Sequence, residues 1–355
     1  MINILIVDDS KTETALLRSM FEAEADLRVT GTATNGKEAL NLVKTLKPDL
    51  ITMDIAMPIM DGLEATRLIL SQYPVPIVVI SSRVDDEYLN ATFSAMEAGA
   101  LSVLEKPVEP NSPGFNKQRK KIIETVRSMA EIRVIKRRFN TNQHEKTIQQ
   151  KLPLLLPTKK ERYEIIAIGA SVGGPQALKK ILSALPSNFP VPIVIVQHMT
   201  NGFITGFTHW LDKNTHLHIR QAEHNEPLRA GHVYFAPDHF HLQIDRDAES
   251  LVAKLIKGQL VSGFCPSATV LLKSVAETCG KNAIGVLLTG MGNDGAEGLL
   301  ALKQTNAHTV IQDPESAIVF GMAGVAQSIG AVEKVVNLDE MAEYLVDIVG
   351  VKEKL

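Results

Sequence analysis

Short apolar runs that stop abruptly at polar side chains recur along this sequence, with helical patterns between them. No other feature constrains the fold as strongly. In the N-terminal third the runs are Ile2–Val7, Asp49–Met53 and Ile77–Ile80. Near-continuous apolar runs of this length read as buried parallel strands. Between them Thr12–Glu22, Lys37–Leu46, Leu63–Ser71 and Asp86–Ala98 carry apolar residues three and four apart, and Gly99 stops the last. Strand and helix in alternation specify an α/β fold with a doubly wound parallel sheet. A basic helical stretch, Phe115–Arg138, follows with Ile122, Ile123, Val126, Met129, Ile132 and Ile135 on one stripe. Residues 140–161 are polar, hold Pro153 and Pro157, and read as a linker. From Glu164 the pattern restarts at Ile165–Ile168, Ile193–Val196, Ala283–Leu288 and Thr309–Ile311. The expected organisation is a first domain over residues 1–125, a helical and flexible linker over 126–161, and a second α/β domain over 162–350.

A chain of 355 residues accommodates two such domains, and 45% hydrophobic with 22% charged residues is ordinary globular composition. The net charge of -3 gives no electrostatic reason to expect nucleic acid as a partner, and the run Lys159, Lys160, Glu161, Arg162 reads as a solvated hinge. Cys265 and Cys279 have no metal-ligand spacing and are expected as reduced thiols. The first residues lack the basic and long apolar regions of a signal peptide, and no run reaches the ~18 apolar residues of a membrane span. A cytoplasmic protein without membrane insertion is expected.

Asp8 and Asp9 end the first strand, Asp54 the third and Ser81 the fourth, while Lys106 precedes Pro107 after the fifth. Strand ends of a doubly wound sheet converge on one crevice. Three carboxylates brought together there repel one another unless a divalent cation neutralises them, and hard oxygen ligands suit Mg²⁺. With a hydroxyl and an ammonium added, the pocket holds a phosphoryl group's oxygens, and Asp54 is the expected acceptor.

In the second domain, Gly169-Ala-Ser171-Val-Gly173 fits Gly-x-Ser-x-Gly, a strand-to-helix turn that exposes a serine oxygen. Its Gly-x-x-x-Gly-Gly spacing departs from a dinucleotide-binding fingerprint. A nucleophilic serine needs a base and an acid to orient it. His198 ends another strand, and Asp294 lies in the loop Leu288-Thr-Gly-Met-Gly-Asn-Asp-Gly295. Asp313 is a competing acid; Asp294 is preferred because the glycines around it let backbone N–H groups approach an oxyanion, with the Met291 N–H as the candidate donor. The order Ser, His, Asp differs from the α/β-hydrolase order and points to a Rossmann-like sheet. The pairs His216/His218 and His239/His241 could share a strand face and bind metal, but no third ligand completes a set. No cofactor is expected in this domain.

Residues 1–125 resemble a response-regulator receiver domain, flavodoxin-like and five-stranded. The resemblance rests on Asp8-Asp9, Asp54 within Met53-Asp-Ile-Ala-Met-Pro58, Met60-Asp-Gly62, Ser81 and Lys106-Pro107. Val103 stands where receivers often carry an aromatic switch residue. Residues 164–350 resemble the catalytic domain of the chemotaxis protein-glutamate methylesterases. The segments that match are Gly169–Gly174, Gln197-His-Met199, Glu226-Pro-Leu228, Val233–Pro237, Pro266-Ser267, Leu288–Ala296, and Gln312-Asp through Val319-Phe-Gly-Met322. Val172 and Ala323 replace residues more usual there, Thr and Pro. The resemblance implies Ser171, His198 and Asp294 as a triad and Met291 as an oxyanion contributor. It further implies demethylation and deamidation of chemoreceptors, and activation when a histidine kinase phosphorylates Asp54. Rival readings are a response regulator acting by binding, an adaptor with a dead catalytic domain, and an esterase of the same fold with another substrate.

Overall fold

The computed structural model describes residues 1–81, 93–96, 98–132 and 163–350. Most of the helix expected over Asp86–Ala98 therefore lies outside the described residues, as do the end of the basic stretch and the linker. The first domain holds β1 (Ile2–Val7), α1 (Lys11–Glu22), β2 (Leu27–Ala33), α2 (Gly36–Leu46), β3 (Leu50–Met53), α3 (Gly62–Gln72), β4 (Ile77–Ser81), β5 (Ser102–Glu105) and α4 (Phe115–Ala130). Its five strands are parallel in the order β2-β1-β3-β4-β5, the doubly wound flavodoxin order. The side chains of Ser10, Asn35 and Asp61 cap α1, α2 and α3 by accepting from backbone N–H groups three residues on.

Helix α4 runs through residue 125 unbroken and ends at Ala130, so the domain boundary expected at 125 falls inside it. The cause is packing: Ile122, Ile123, Val126 and Met129 lie one helical face apart and are all buried in the first domain's core. Arg127 and Arg119 tie the same helix to Glu24, and Arg127 also pairs with Asp26.

The second domain is built on β6 (Ile165–Ala170), α5 (Gly174–Ala184), β7 (Ile193–Gln197), α6 (Phe203–Lys213), β8 (His218–Gln221) and β9 (His232–Phe235). The hairpin strands β10 (His241–Asp247) and β11 (Ser250–Ile256) come next. Then follow α7 (Ala268–Cys279), β12 (Ala283–Leu287), α8 (Ala296–Gln304), β13 (His308–Gln312), α9 (Met322–Ser328), β14 (Lys334–Val336) and α10 (Met341–Val349). Seven strands form one parallel sheet in the order β14-β13-β12-β6-β7-β9-β8, and β10-β11 is a separate antiparallel pair. β6, the first strand of the domain, sits in the middle, with β7 on one side and β12 on the other. That is a point where the winding reverses, and a crevice opens there at the carboxyl ends of the strands.

The two domains touch. Phe93 packs against Phe207 and Trp210, with ring centroids 5.4 and 5.9 Å apart. The Gln176 amide donates to the Ala100 carbonyl and the Thr200 hydroxyl to the Val103 carbonyl, both at 2.7 Å. Val172 and Ile318 pack against the apolar cluster that α4 completes.

Candidate active site and phosphoacceptor pocket

In the first domain the strand ends bring together what the sequence placed there. Carboxylate oxygens of Asp8, Asp9 and Asp54 all lie within 4.8 Å of one another, Asp8 and Asp54 buried and Asp9 exposed. The Lys106 ammonium bridges Asp8 and Asp54 at 2.9 Å each. Asp8 Oδ1 accepts from the Ser10 N–H, and Asp54 Oδ1 from the Ile55 N–H. Ser81 is buried at the end of β4, and its carbonyl accepts from the Lys106 N–H. Burial pushes the Asp8 carboxyl above its usual range despite the bonds from Lys106 and Ser10, and neighbouring Asp54 adds to the rise. Burial alone would lower Lys106, but its two carboxylate partners outweigh that and hold it above the ordinary lysine range. These are hard oxygen donors with excess negative charge, the chemistry that fits a divalent cation.

In the second domain Ser171 follows β6, His198 follows β7 and Asp294 follows β12. His198 Nε2 and Asp294 Oδ2 are 2.9 Å apart. Asp294 is fully buried and also accepts from Ser267 Oγ at 2.7 Å, Ala268 N at 2.7 Å, and Thr269 N and Gly295 N at 3.0 Å. Two of those donors are the first N–H groups of α7, where the helix dipole favours an anion. Burial alone would raise the Asp294 carboxyl; bonds from His198, Ser267 and Thr269 outweigh it and hold it at about 2. An ionised carboxylate only accepts, so His198 Nε2 carries the proton between them, and Nδ1 is the ring nitrogen that Asp294 does not engage. That Nδ1 is buried and has no hydrogen-bond partner among the described residues.

Ser171 is itself buried, and it lines the same cleft as His198, a space of about 690 Å³. Among the described residues no hydrogen bond joins Ser171 Oγ to the imidazole. Catalytic hydrogen bonds are often loose without substrate and tighten with it. The Gly290 backbone comes close to the serine: a Cβ on Gly290 would lie 2.7 Å from the Ser171 Cβ. Met291's side chain is 42% exposed. The Gln197 amide fixes the turn from the other side by donating to the carbonyls of Ser171 at 2.9 Å and His198 at 2.8 Å.

Asp313, the competing acid, is committed elsewhere. Its carboxylate accepts from Ser316 and Asn337 and shapes the loop after β13. His241 is a strut with both ring nitrogens in use, toward Gln259 O at 2.9 Å and from Ser267 N at 3.2 Å. Sequence reasoning missed His241 as a support, and Ser267 as the hydroxyl that grips Asp294. Ser267 had a signal, a hydroxyl just ahead of the apolar run Ala268–Val275, as a helix cap requires.

The cleft is closed on one side by the first domain. Ser102, Leu104, Lys117, Lys121 and Met129 line it opposite Ser171 and His198. No helix among the described residues is long and apolar enough to cross a membrane.

Asp294 also sets an acid limit on stability. A carboxyl depressed from 3.8 to about 2 contributes stability that is fully present above about pH 4 and is lost as pH falls through about 2. The unfolding free energy of the wild type should therefore fall more steeply between pH 4 and pH 2 than that of Asp294→Asn. Equal slopes in denaturant titrations would show that the carboxylate is not held in this way.

Known proteins resemble this chain over both domains. Residues 166–345 match the CheB methylesterase family, and residues 4–112 match the response regulator receiver domain. A Syntrophus aciditrophicus protein named protein-glutamate methylesterase/protein-glutamine glutaminase 1 is 41% identical over 350 residues, covering 99% of each chain. A Nitrosospira multiformis protein named protein-glutamate methylesterase/protein-glutamine glutaminase is 41% identical over 98% of this chain and 97% of its own. The crystal structure of the Thermotoga maritima CheB methylesterase catalytic domain covers 53% of this chain and 99% of that one, at 35% identity and a TM-score of 0.52. With a receiver fold ahead of a second parallel sheet, and matches over nearly its whole length, this chain belongs to the CheB methylesterase family.

Proposed function

We propose that this protein hydrolyses γ-glutamyl methyl esters on chemoreceptors and deamidates receptor glutamines, under control of phosphorylation at Asp54. The observation that carries the reading is that Ser171 and His198 line one cleft at the switch point of the sheet, with buried Asp294 bonded to the imidazole. Ser171 Oγ attacks the ester carbonyl while His198 Nδ1 takes its proton. Asp294 holds the imidazole through Nε2–H and balances the imidazolium. The Met291 N–H is the oxyanion donor. The imidazolium returns its proton to the methoxide oxygen, methanol leaves, and Ser171 carries the glutamyl acyl group. Water, deprotonated by His198, then releases the glutamate and restores the serine. A glutamine amide follows the same course and releases ammonia.

In the receiver, Asp54 is the phosphoacceptor, and Lys106 and Ser81 hold the phosphoryl oxygens. Asp8, Asp9 and Asp54 would hold Mg²⁺, which when bound offsets the negative charge of the carboxylates and the phosphoryl group. The phosphodonor is a chemotaxis histidine kinase. The unphosphorylated receiver covers the Ser171 cleft, and phosphorylation weakens that docking.

The test is methanol release from methylated receptor by the wild type, Ser171→Ala and Asp54→Ala, with and without a small-molecule phosphodonor. The wild type should release methanol faster with the donor, Ser171→Ala should release none above background, and Asp54→Ala should ignore the donor. No release by the wild type sinks the reading.

A further inference from the structure

The ring of Phe264 lies flat on the His198 imidazole, with centroids 3.7 Å apart and planes 6° from parallel. A tight turn puts it there. Val261 and Phe264 exchange two N–H···O bonds, each 3.0 Å long. The two residues between them, Ser262 and Gly263, have φ of +53° and +85°, the φ signature of a type I′ turn. A Cβ at Gly263 would meet nothing within 4 Å, so this glycine serves backbone conformation alone. His241 clamps the segment at both ends, through Gln259 and Ser267. Beyond Ser267 the same stretch supplies the N–H groups that hold Asp294. One continuous segment therefore supports the base and its acid.

A face-to-face stack this close is an arrangement that two neutral rings disfavour relative to offset or edge-on contact. It becomes favourable when one partner carries positive charge, because a cation is attracted to the negative face of an aromatic ring. His198 acquires that charge during the reaction, when it takes the serine proton. The stack is thus matched to the charged intermediate more than to the resting imidazole. The ring also covers a His198 side chain that is only 6% exposed and bars it from swinging away from Asp294.

We infer that Phe264 is a positioning residue for the esterase reaction, which holds His198 in line and stabilises its imidazolium form. The inference rests on the reading of His198 as general base, and the experiment separates the two. Full-length protein, phosphorylated with a small-molecule donor, is assayed for methanol release from methylated receptor. The variants are Phe264→Ala, Phe264→Leu, Phe264→Tyr and His198→Ala. Phe264→Ala and Phe264→Leu should both lose about 10–30-fold in kcat, the range a desolvated cation–π contact supplies, with KM changed less than about twofold. Phe264→Tyr keeps the π face and should stay within about threefold of wild type. The His198 ring-proton resonances should move downfield in the Leu variant, as the ring-current shift from Phe264 disappears. If Phe264→Ala does not fold, the Leu and Tyr pair decides the question. A Leu variant with wild-type kcat, or a loss confined to KM, overturns the positioning role while His198→Ala remains inactive. Full activity in His198→Ala refutes the base assignment instead.

Discussion

Ser171→Ala should lower methanol release by about 10⁴–10⁶-fold, because the remaining groups have no nucleophile to act through and members of a triad act as a unit. His198→Ala should fall by a similar factor, and the double variant little further. Asp294→Asn should cost about 10⁴-fold, since an amide in place of the carboxylate no longer fixes the imidazole tautomer. The three differ in stability, and that difference tests the geometry. Ser171 is followed by a glycine-flanked turn held by Gln197, so its alanine variant should melt close to wild type. Asp294→Ala leaves Ser267 Oγ and the N–H groups of Ala268 and Thr269 buried without an acceptor, while the Gly295 N–H keeps Thr269 Oγ1. Each orphaned donor costs about 1–3 kcal/mol, so this variant should melt well below the others. Chemical denaturation of the three side by side checks this. An Asp294→Ala protein as stable as Ser171→Ala would mean that the carboxylate is not the hub described.

Phe93→Ala should raise esterase activity in the absence of any phosphodonor. The Phe93 ring is an apolar contact between the receiver and α6, meeting both Phe207 and Trp210. An aromatic pair contributes about 0.5–1.5 kcal/mol beyond its buried area, so losing two weakens docking by about 1–3 kcal/mol. A coupling of that size corresponds to an increase of roughly 5–150-fold in the open population. Thr200→Val, which removes the hydroxyl donated to Val103, should act in the same direction by a smaller factor of about 3–10. Phosphorylation should add less to Phe93→Ala than to the wild type, because the contact it loosens is already weakened. Methanol release measured with and without phosphodonor decides the matter. An unphosphorylated Phe93→Ala enzyme no faster than wild type, with its receiver still able to take up phosphate, would show that the docked face does not restrain the site.

Residue by residue, what the sequence revealed followed burial. β1, β3, β4, β6, β7, β12 and β13 are buried along nearly their whole length and read as apolar runs. The polar residues that end them were therefore easy to locate, and apart from those after β13 they are the ones gathered in the two sites. β2 has the half-exposed sequence Leu-Arg-Val-Thr-Gly-Thr-Ala, and its Leu27, Val29 and Ala33 alternate with polar neighbours without forming a run. β8 and β9 begin with His218 and His232 and β10 with His241, and there the sequence marked histidines that could share a strand face rather than the strands themselves. Ser171, His198 and Asp294 were thus legible, and their supports were not. Phe264 and His241 reach their partners only through the turn at 261–264 and the packing of the hairpin against α7, and neither relation has a local signature.

The order of the elements along the chain has a consequence for synthesis. Domains tend to fold as they emerge, from the N-terminus onward. The receiver's last helix ends at Ala130, whereas Asp294, the acid proposed to act with Ser171 and His198, is made 164 residues later. At about 5–20 residues per second, translation leaves the receiver roughly 8–30 s in which to form before a competent serine exists. On the proposal that the unphosphorylated receiver covers the Ser171 cleft, newly made enzyme would emerge beside a finished cover and start out silent.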